Sequence, residues 1–415
     1  MGISTERQWR QPFIFFSILL MLAALFTSRM LLSVGMIAFL FFTCVHNQFP
    51  QQLRKYFNSR LLLAVSLLFF IPFITWFWSD DKVMWARWAR IKLPLFLFPL
   101  AFAGQWQLSL KQWKTIAWFL VLLVFAGCCW SLFHYFQDPF TIHESYLRAK
   151  IMATPLANDH VRFSLIVSFA VIFCAILFVS TVHNKSKIAL GILVVFFTVY
   201  LHILSARTGL AGLYIFILCG IVRMTVSFNK NKWMIAGAVI LLMMPIAAWF
   251  LLPTFQNRFR YILYDYSFIQ KQSYLPGSND GSRLLSLRAG WDILKNNPAG
   301  VGSGDVPSAA YAWYNAHLPN MTETDKLYPS SEWLLYGDAA GWAGIILFTG
   351  IMLIPFFEKT GSRFFWVTIN MIMAFSFMFD IGLEAQYGVF IYVFVILGMW
   401  KASNVNRQSS MEVSD

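Results

Sequence analysis

The sequence predicts an all-α polytopic membrane protein of about 12 transmembrane helices, with a large extracytoplasmic loop containing short helices between spans 9 and 10. Three observations predict it. Hydrophobic residues make up 58% of the chain and charged residues only 12%, outside the usual composition of a water-soluble domain. The mean hydropathy is +0.61. Twelve apolar stretches are long enough, or nearly so, for the roughly 20 residues that cross a bilayer core of about 30 Å.

The expected spans are 12–28, 30–45, 61–78, 93–106, 115–134, 163–182, 188–204, 208–226, 233–252, 333–356, 364–379 and 383–400. No small-residue cleavage site separates the first two, which makes the first a retained helix rather than a signal peptide. An even number of spans puts both termini on one side. Arg54, Lys55, Arg60, Lys111, Lys114, Lys185, Lys187, Arg223, Lys230, Lys232, Lys359, Arg363, Lys401 and Arg407 fall on that side in short segments, so it is expected to be cytoplasmic. The two sides carry 16 Lys and Arg each, whereas 15 of the 19 Asp and Glu lie outside. The net charge of +13 thus speaks of topology and the lipid bilayer, not of nucleic acid.

The expected units are a membrane region over 1–252 (spans 1–9), a periplasmic loop over 253–332, a second membrane region over 333–400 (spans 10–12) and a tail over 401–415. Lys82, Arg87, Arg90 and Lys92 interrupt the charge pattern. Interleaved with Trp85 and Trp88, they predict a short amphipathic helix at the membrane surface. All five cysteines sit in apolar spans, and the histidines lack metal-ligand spacing. Asp80 and Asp81 are a weak paired-carboxylate signal.

Arg207, in "HILSARTGLAGLY", stands between two apolar runs at the external membrane edge. A permanent charge there is costly unless paired or used. Gly209 and Gly212 would let a helix or a lipid diphosphate approach the backbone closely. In the long loop, the periodicity of Leu284, Leu285, Leu287, Trp291 and Leu294 predicts an amphipathic helix carrying Arg283 and Arg288. Guanidinium forks match phosphate oxygens. Gly300, Gly302 and Gly304 lack the Lys-Ser/Thr of a nucleotide loop and predict a tight turn after Pro298.

"SARTG" (205–209), "GSRLLSLRAGWDILKNNPAGVGSG" (281–304) and "YPSSEWLLYGDAAGWAG" (328–344), in this order around a long loop, resemble the O-antigen ligase superfamily. The motifs are specific from about 200 to 345. The resemblance implies a metal-independent, inverting membrane glycosyltransferase of the bacterial inner membrane that needs no cofactor. Such an enzyme moves a glycan from a polyprenyl-diphosphate carrier to a hydroxyl on lipid A core, a growing polymer or a protein. The lipid A core ligase is the first expectation, with O-antigen polymerase and protein O-oligosaccharyltransferase as alternatives. It also implies that Arg207 and Arg283, with Arg288 as a second basic position, bind the donor diphosphate.

One position departs from the family. Its histidine falls on Ser330, which cannot act as a general base at neutral pH without a partner. Glu332 is the first expected substitute, followed by His317 and Asp338. A transporter or lipid flippase is the non-enzymatic alternative. Its discriminators, internal pseudo-symmetry and mid-membrane charges, are not evident here.

Overall fold

Eighteen helices and four short 3₁₀ turns make up the computed structural model, which describes residues 2–148, 150–228, 231–270 and 275–412. Lys230 and the last three residues of the expected tail lie outside the described residues. α1 (Gly2–Thr27) and α2 (Arg29–Cys44) pack together, and α2 meets α3 (Phe49–Phe57) at a bend of 103°. α4 (Arg60–Ile74) leads to α5 (Lys82–Lys92) and α6 (Pro94–Phe102). α7 (Leu110–Gln137) and α8 (Pro139–Tyr146) precede four long apolar helices: α9 (His160–Ser180), α10 (Asn184–Leu204), α11 (Arg207–Phe228) and α12 (Asn231–Leu251). The expected loop folds into α13 (Pro253–Gln270), α14 (Asp280–Asn296) and α15 (Val306–His317). The chain closes with α16 (Glu332–Leu353), α17 (Arg363–Phe379) and α18 (Gln386–Glu412).

Among the described residues, nine helices are long and apolar enough to cross a membrane, or ten if the bent α2–α3 pair is one span. The difference from twelve is local. The stretch 93–106 yields only the nine residues of α6, bounded by Pro94 and containing Pro99. Nine residues rise about 14 Å, under half the bilayer core. α17, at 17 residues, sits at the lower limit for a span. Ile235, Val239, Leu242, Met243, Ile246 and Phe250 of α12 are exposed, an apolar surface suited to hydrocarbon rather than water.

Two backbone features position the site. Gly209 and Gly212 on α11 lie against α9, where a Cβ would come within 2.5 Å of Ser164 Cβ and 2.7 Å of Ser168 Oγ. Of the two expected uses of these glycines, the close approach of a neighbouring helix is the one realised. α16 is broken at Ala340 and Gly341, the latter at φ +67°. Into that break fits the turn 297–304. Val301 N–H donates to Asp338 O (2.7 Å), Gly302 N–H to Ala339 O (3.1 Å) and Trp342 N–H to Pro298 O (3.1 Å). These bonds replace those the helix loses.

Candidate active site

α13 sets the start of α14. Asp265 Oδ2 accepts from the Asp280 and Gly281 amides at 2.8 and 3.1 Å, and Tyr261 Oη accepts from the Asn279 amide at 3.0 Å. A carboxylate at orphan N-terminal amides anchors the helix, so Arg283 is held one turn further on. The expected amphipathic helix is present, but its buried face differs. Ser282, Ser286, Ala289, Gly290 and Ile293 are buried together with the expected Leu294, while Leu284 and Trp291 are exposed. Small residues face inward because α16 and the segment leading into it run close by: a Cβ on Gly290 would lie 2.8 Å from Pro329 Cβ and 3.2 Å from Asp338 Oδ2.

Arg207, Arg258 and Arg283 line one small cavity together with His160, Thr208 and Asn279. Its volume is about 20 Å³, room for about one water. No carboxylate is in its lining. Arg207 forms an ion pair with Asp280 beside it and keeps half of its side chain exposed. Arg258 is 5% exposed, and its Nε and Nη1 are buried without a hydrogen-bond partner. Burial pushes this guanidinium down from its ordinary value; Tyr261 and Tyr146 oppose that shift, and Arg283 adds to it. Arginine stays charged across such a shift, so the cavity holds positive charge with donors to spare.

Arg258 escaped the sequence analysis because "QNRFRYIL" looks like an ordinary solvated helix face. His160 and Arg162 carry a signal that was available: like Arg207, they open an apolar helix at its edge. Arg162 lies 3.1 Å from Asp380 Oδ2 and 3.4 Å from Asp159 Oδ1, and donates to Ile381 O at 2.8 Å. Burial raises the Asp380 carboxyl above the usual range, although Arg162 and Arg283 pull it down. Arg283 itself donates to Phe379 O at 3.4 Å.

The remaining expected residues do not line this cavity. Arg288 is five residues beyond Arg283, a rotation of about 140° on a helix, and it lines a second cavity with His317. The imidazole of His317 stacks on Trp313, its Nδ1 2.9 Å from Trp313 O. Ser330 Oγ is 2.8 Å from Ser286 Oγ, and its amide donates to that same oxygen at 3.1 Å. Glu332 is fully buried. Its Oε1 accepts from the Leu383 amide at 2.5 Å and its Oε2 has no partner. Asp338 is likewise fully buried, with both carboxylate oxygens unpartnered. Asp81 caps α5 through Met84, and Asp305 receives the Asp80 and Asp81 amides at 2.6 and 2.9 Å.

α5 forms as expected, but it does not lie wholly at the surface. Lys92 is buried, 2.5 Å from Glu384 Oε1 and 4.5 Å from the centre of the Tyr336 ring. Arg87 and Arg90 stay exposed.

Residues 192–349 match the family described as O-antigen ligase. The matched segment includes Arg207, Arg258, Arg283 and the break in α16 at Ala340 and Gly341. No curated protein matches the chain.

Proposed function

From the match of residues 192–349 to the family described as O-antigen ligase, we infer a glycosyltransferase that uses a polyprenyl-diphosphate-linked glycan as donor. Lipid A core is the favoured acceptor. The observation that carries this reading is the arginine cavity: three guanidiniums, no carboxylate in the lining, and buried N–H donors on Arg258 without partners. Unpaired buried donors are costly, and a diphosphate supplies the acceptors they lack. Because the cavity holds only about 20 Å³, the diphosphate enters by displacing the Asp280 carboxylate from Arg207.

Donor-side chemistry then follows from charge. The acceptor hydroxyl attacks the anomeric carbon, the carbon–oxygen bond to phosphate breaks, and the configuration inverts. Negative charge grows on the departing diphosphate, where Arg207, Arg258 and Arg283 stabilise it. His160, the one histidine in the cavity lining, offers the departing diphosphate a further N–H, and the hydroxyl proton leaves to water on the opposite face of the sugar. Glu332, held by the Leu383 amide, acts as a positioning residue for the 380–384 turn. The expected orientation, with the termini in the cytoplasm and the 253–332 segment in the periplasm, presents this cavity to the donor after it has crossed the inner membrane.

The test is glycan transfer in cells lacking the gene, complemented with Arg258→Gln or His160→Gln, with lipid A core and protein fractions blotted separately. Each variant should insert normally and lose about a hundred- to thousandfold in transfer, the usual cost of one transition-state donor. Wild-type transfer by Arg258→Gln overturns the diphosphate site. A glycan ladder on the protein fraction alone moves the acceptor from lipid A core to protein.

A further inference from the structure

The second cavity lies across α14 from the arginines, and no step above uses it. Its volume is about 620 Å³, within the roughly 300–1,000 Å³ of small-molecule sites. Trp291, Trp313 and His317 supply aromatic faces, and Arg288, Asp292 and Asp265 supply polar groups. The aromatic wall is fixed in place: Trp313 Nε1 donates to Asp292 Oδ2 at 2.9 Å, and its ring stacks on His317 with centroids 4.5 Å apart. Trp291 is half exposed. Asp265 is 1% exposed; while Oδ2 caps α14, Oδ1 is buried without a partner.

We propose that this cavity binds sugar rings of the glycan being transferred, a proposal that rests on the glycan-transfer reading. Indole faces match the apolar C–H faces of pyranoses, and carboxylates and a guanidinium match their hydroxyls. An acyl chain would leave Asp265 Oδ1 and Arg288 unanswered. The two cavities meet at the first turns of α14: Asn279 and Arg283 line one, while Ser278, Gly281 and Leu284 line the other. Sugars attached to a diphosphate at the arginines run across that turn into the second cavity. Arg283 and Arg288 are separated by a rise of about 7.5 Å along the helix, the scale of one or two sugar rings.

The experiment is isothermal titration of the purified full chain with three probes. They are inorganic pyrophosphate, oligosaccharide released by mild acid from the host's lipid-linked glycan, and core oligosaccharide released from its lipid A. Trp291→Ala and Arg288→Gln should each weaken binding of the oligosaccharide from the lipid-linked glycan at least tenfold and leave pyrophosphate unchanged. Arg283→Gln should do the reverse, and retained binding of the other probe shows that each variant is folded. Weakened binding of the core oligosaccharide alone overturns the proposal and gives the cavity to the acceptor. Wild-type saccharide affinity in both cavity variants overturns the proposal, as does a wild-type protein that binds pyrophosphate but neither saccharide. If the wild type binds saccharide and not pyrophosphate, the diphosphate reading fails and the saccharide cavity stands.

Discussion

Two groups of charges lie side by side, with Arg283 of one acting on Asp380 of the other, and they differ in how they are satisfied. Around Arg207, Arg258 and Arg283, positive charge exceeds what the neighbouring Asp280 and Asp265 neutralise, and N–H donors on Arg258 have no partner. Around Lys92, Arg162, Asp380 and Glu384, each cation has a carboxylate within 3.1 Å. The second group joins α5, α9 and the 380–384 turn from within, and each of its cations is matched by a carboxylate. The first leaves a deficit of anion. Identical residue types are thus matched one to one by carboxylates in one group and left with surplus positive charge in the other, and the proposed function places its ligand at that surplus.

The sharpest way to break the comparison is to remove a cation from each group. Arg207→Ala or Arg283→Ala should abolish glycan transfer with membrane insertion intact, and Arg207→Lys should fail as well, because an ammonium lacks the planar fork. Membrane-fraction blots and a transfer assay read both. Normal transfer by Arg207→Ala would put the anion elsewhere. In the paired group, Lys92→Met should instead lower stability by about 3–5 kcal/mol, since it strands a buried carboxylate. Adding Glu384→Gln should restore most of that loss. Thermal unfolding in detergent decides it: a double variant as unstable as the single one would mean that the pair is not a unit.

A smaller effect sharpens the role of Asp280. If its carboxylate competes with the diphosphate for Arg207, Asp280→Asn should bind pyrophosphate a few-fold more tightly by titration. Weaker binding would show that Asp280 instead holds Arg207 in place for the ligand. The smallest expected effect is none: transfer by the purified protein should survive EDTA, because guanidiniums neutralise the leaving diphosphate. Activity lost to EDTA and regained with Mg²⁺ would bring a metal into the reaction.

Much was legible in the sequence before any coordinate. Charge at a span edge is expensive wherever the chain folds, so Arg207 announced itself locally, as Arg162 would have under the same argument. Helical periodicity located α14, and the glycine run around 300 marked a turn, since Gly300 and Gly302 take positive φ that other residues avoid. The buried face of α14 was misjudged because periodicity ranks residues by apolarity. Here the closeness of α16 selected small side chains instead, leaving Leu284 and Trp291 exposed.

The sequence by itself determined the helical membrane architecture, the presence of a polar segment between the ninth and tenth expected spans, and the edge arginine, because burial costs and helical periods act over short stretches of chain. Only the tertiary structure decided which arginines meet. Arg207, Arg258 and Arg283 come from α11, α13 and α14, while Arg288, one and a half turns past Arg283, faces another cavity. It also decided the fate of Glu332, whose carboxylate bonds an amide 51 positions away. Whether a buried charge finds a partner depends on packing between distant segments, and no local pattern records that.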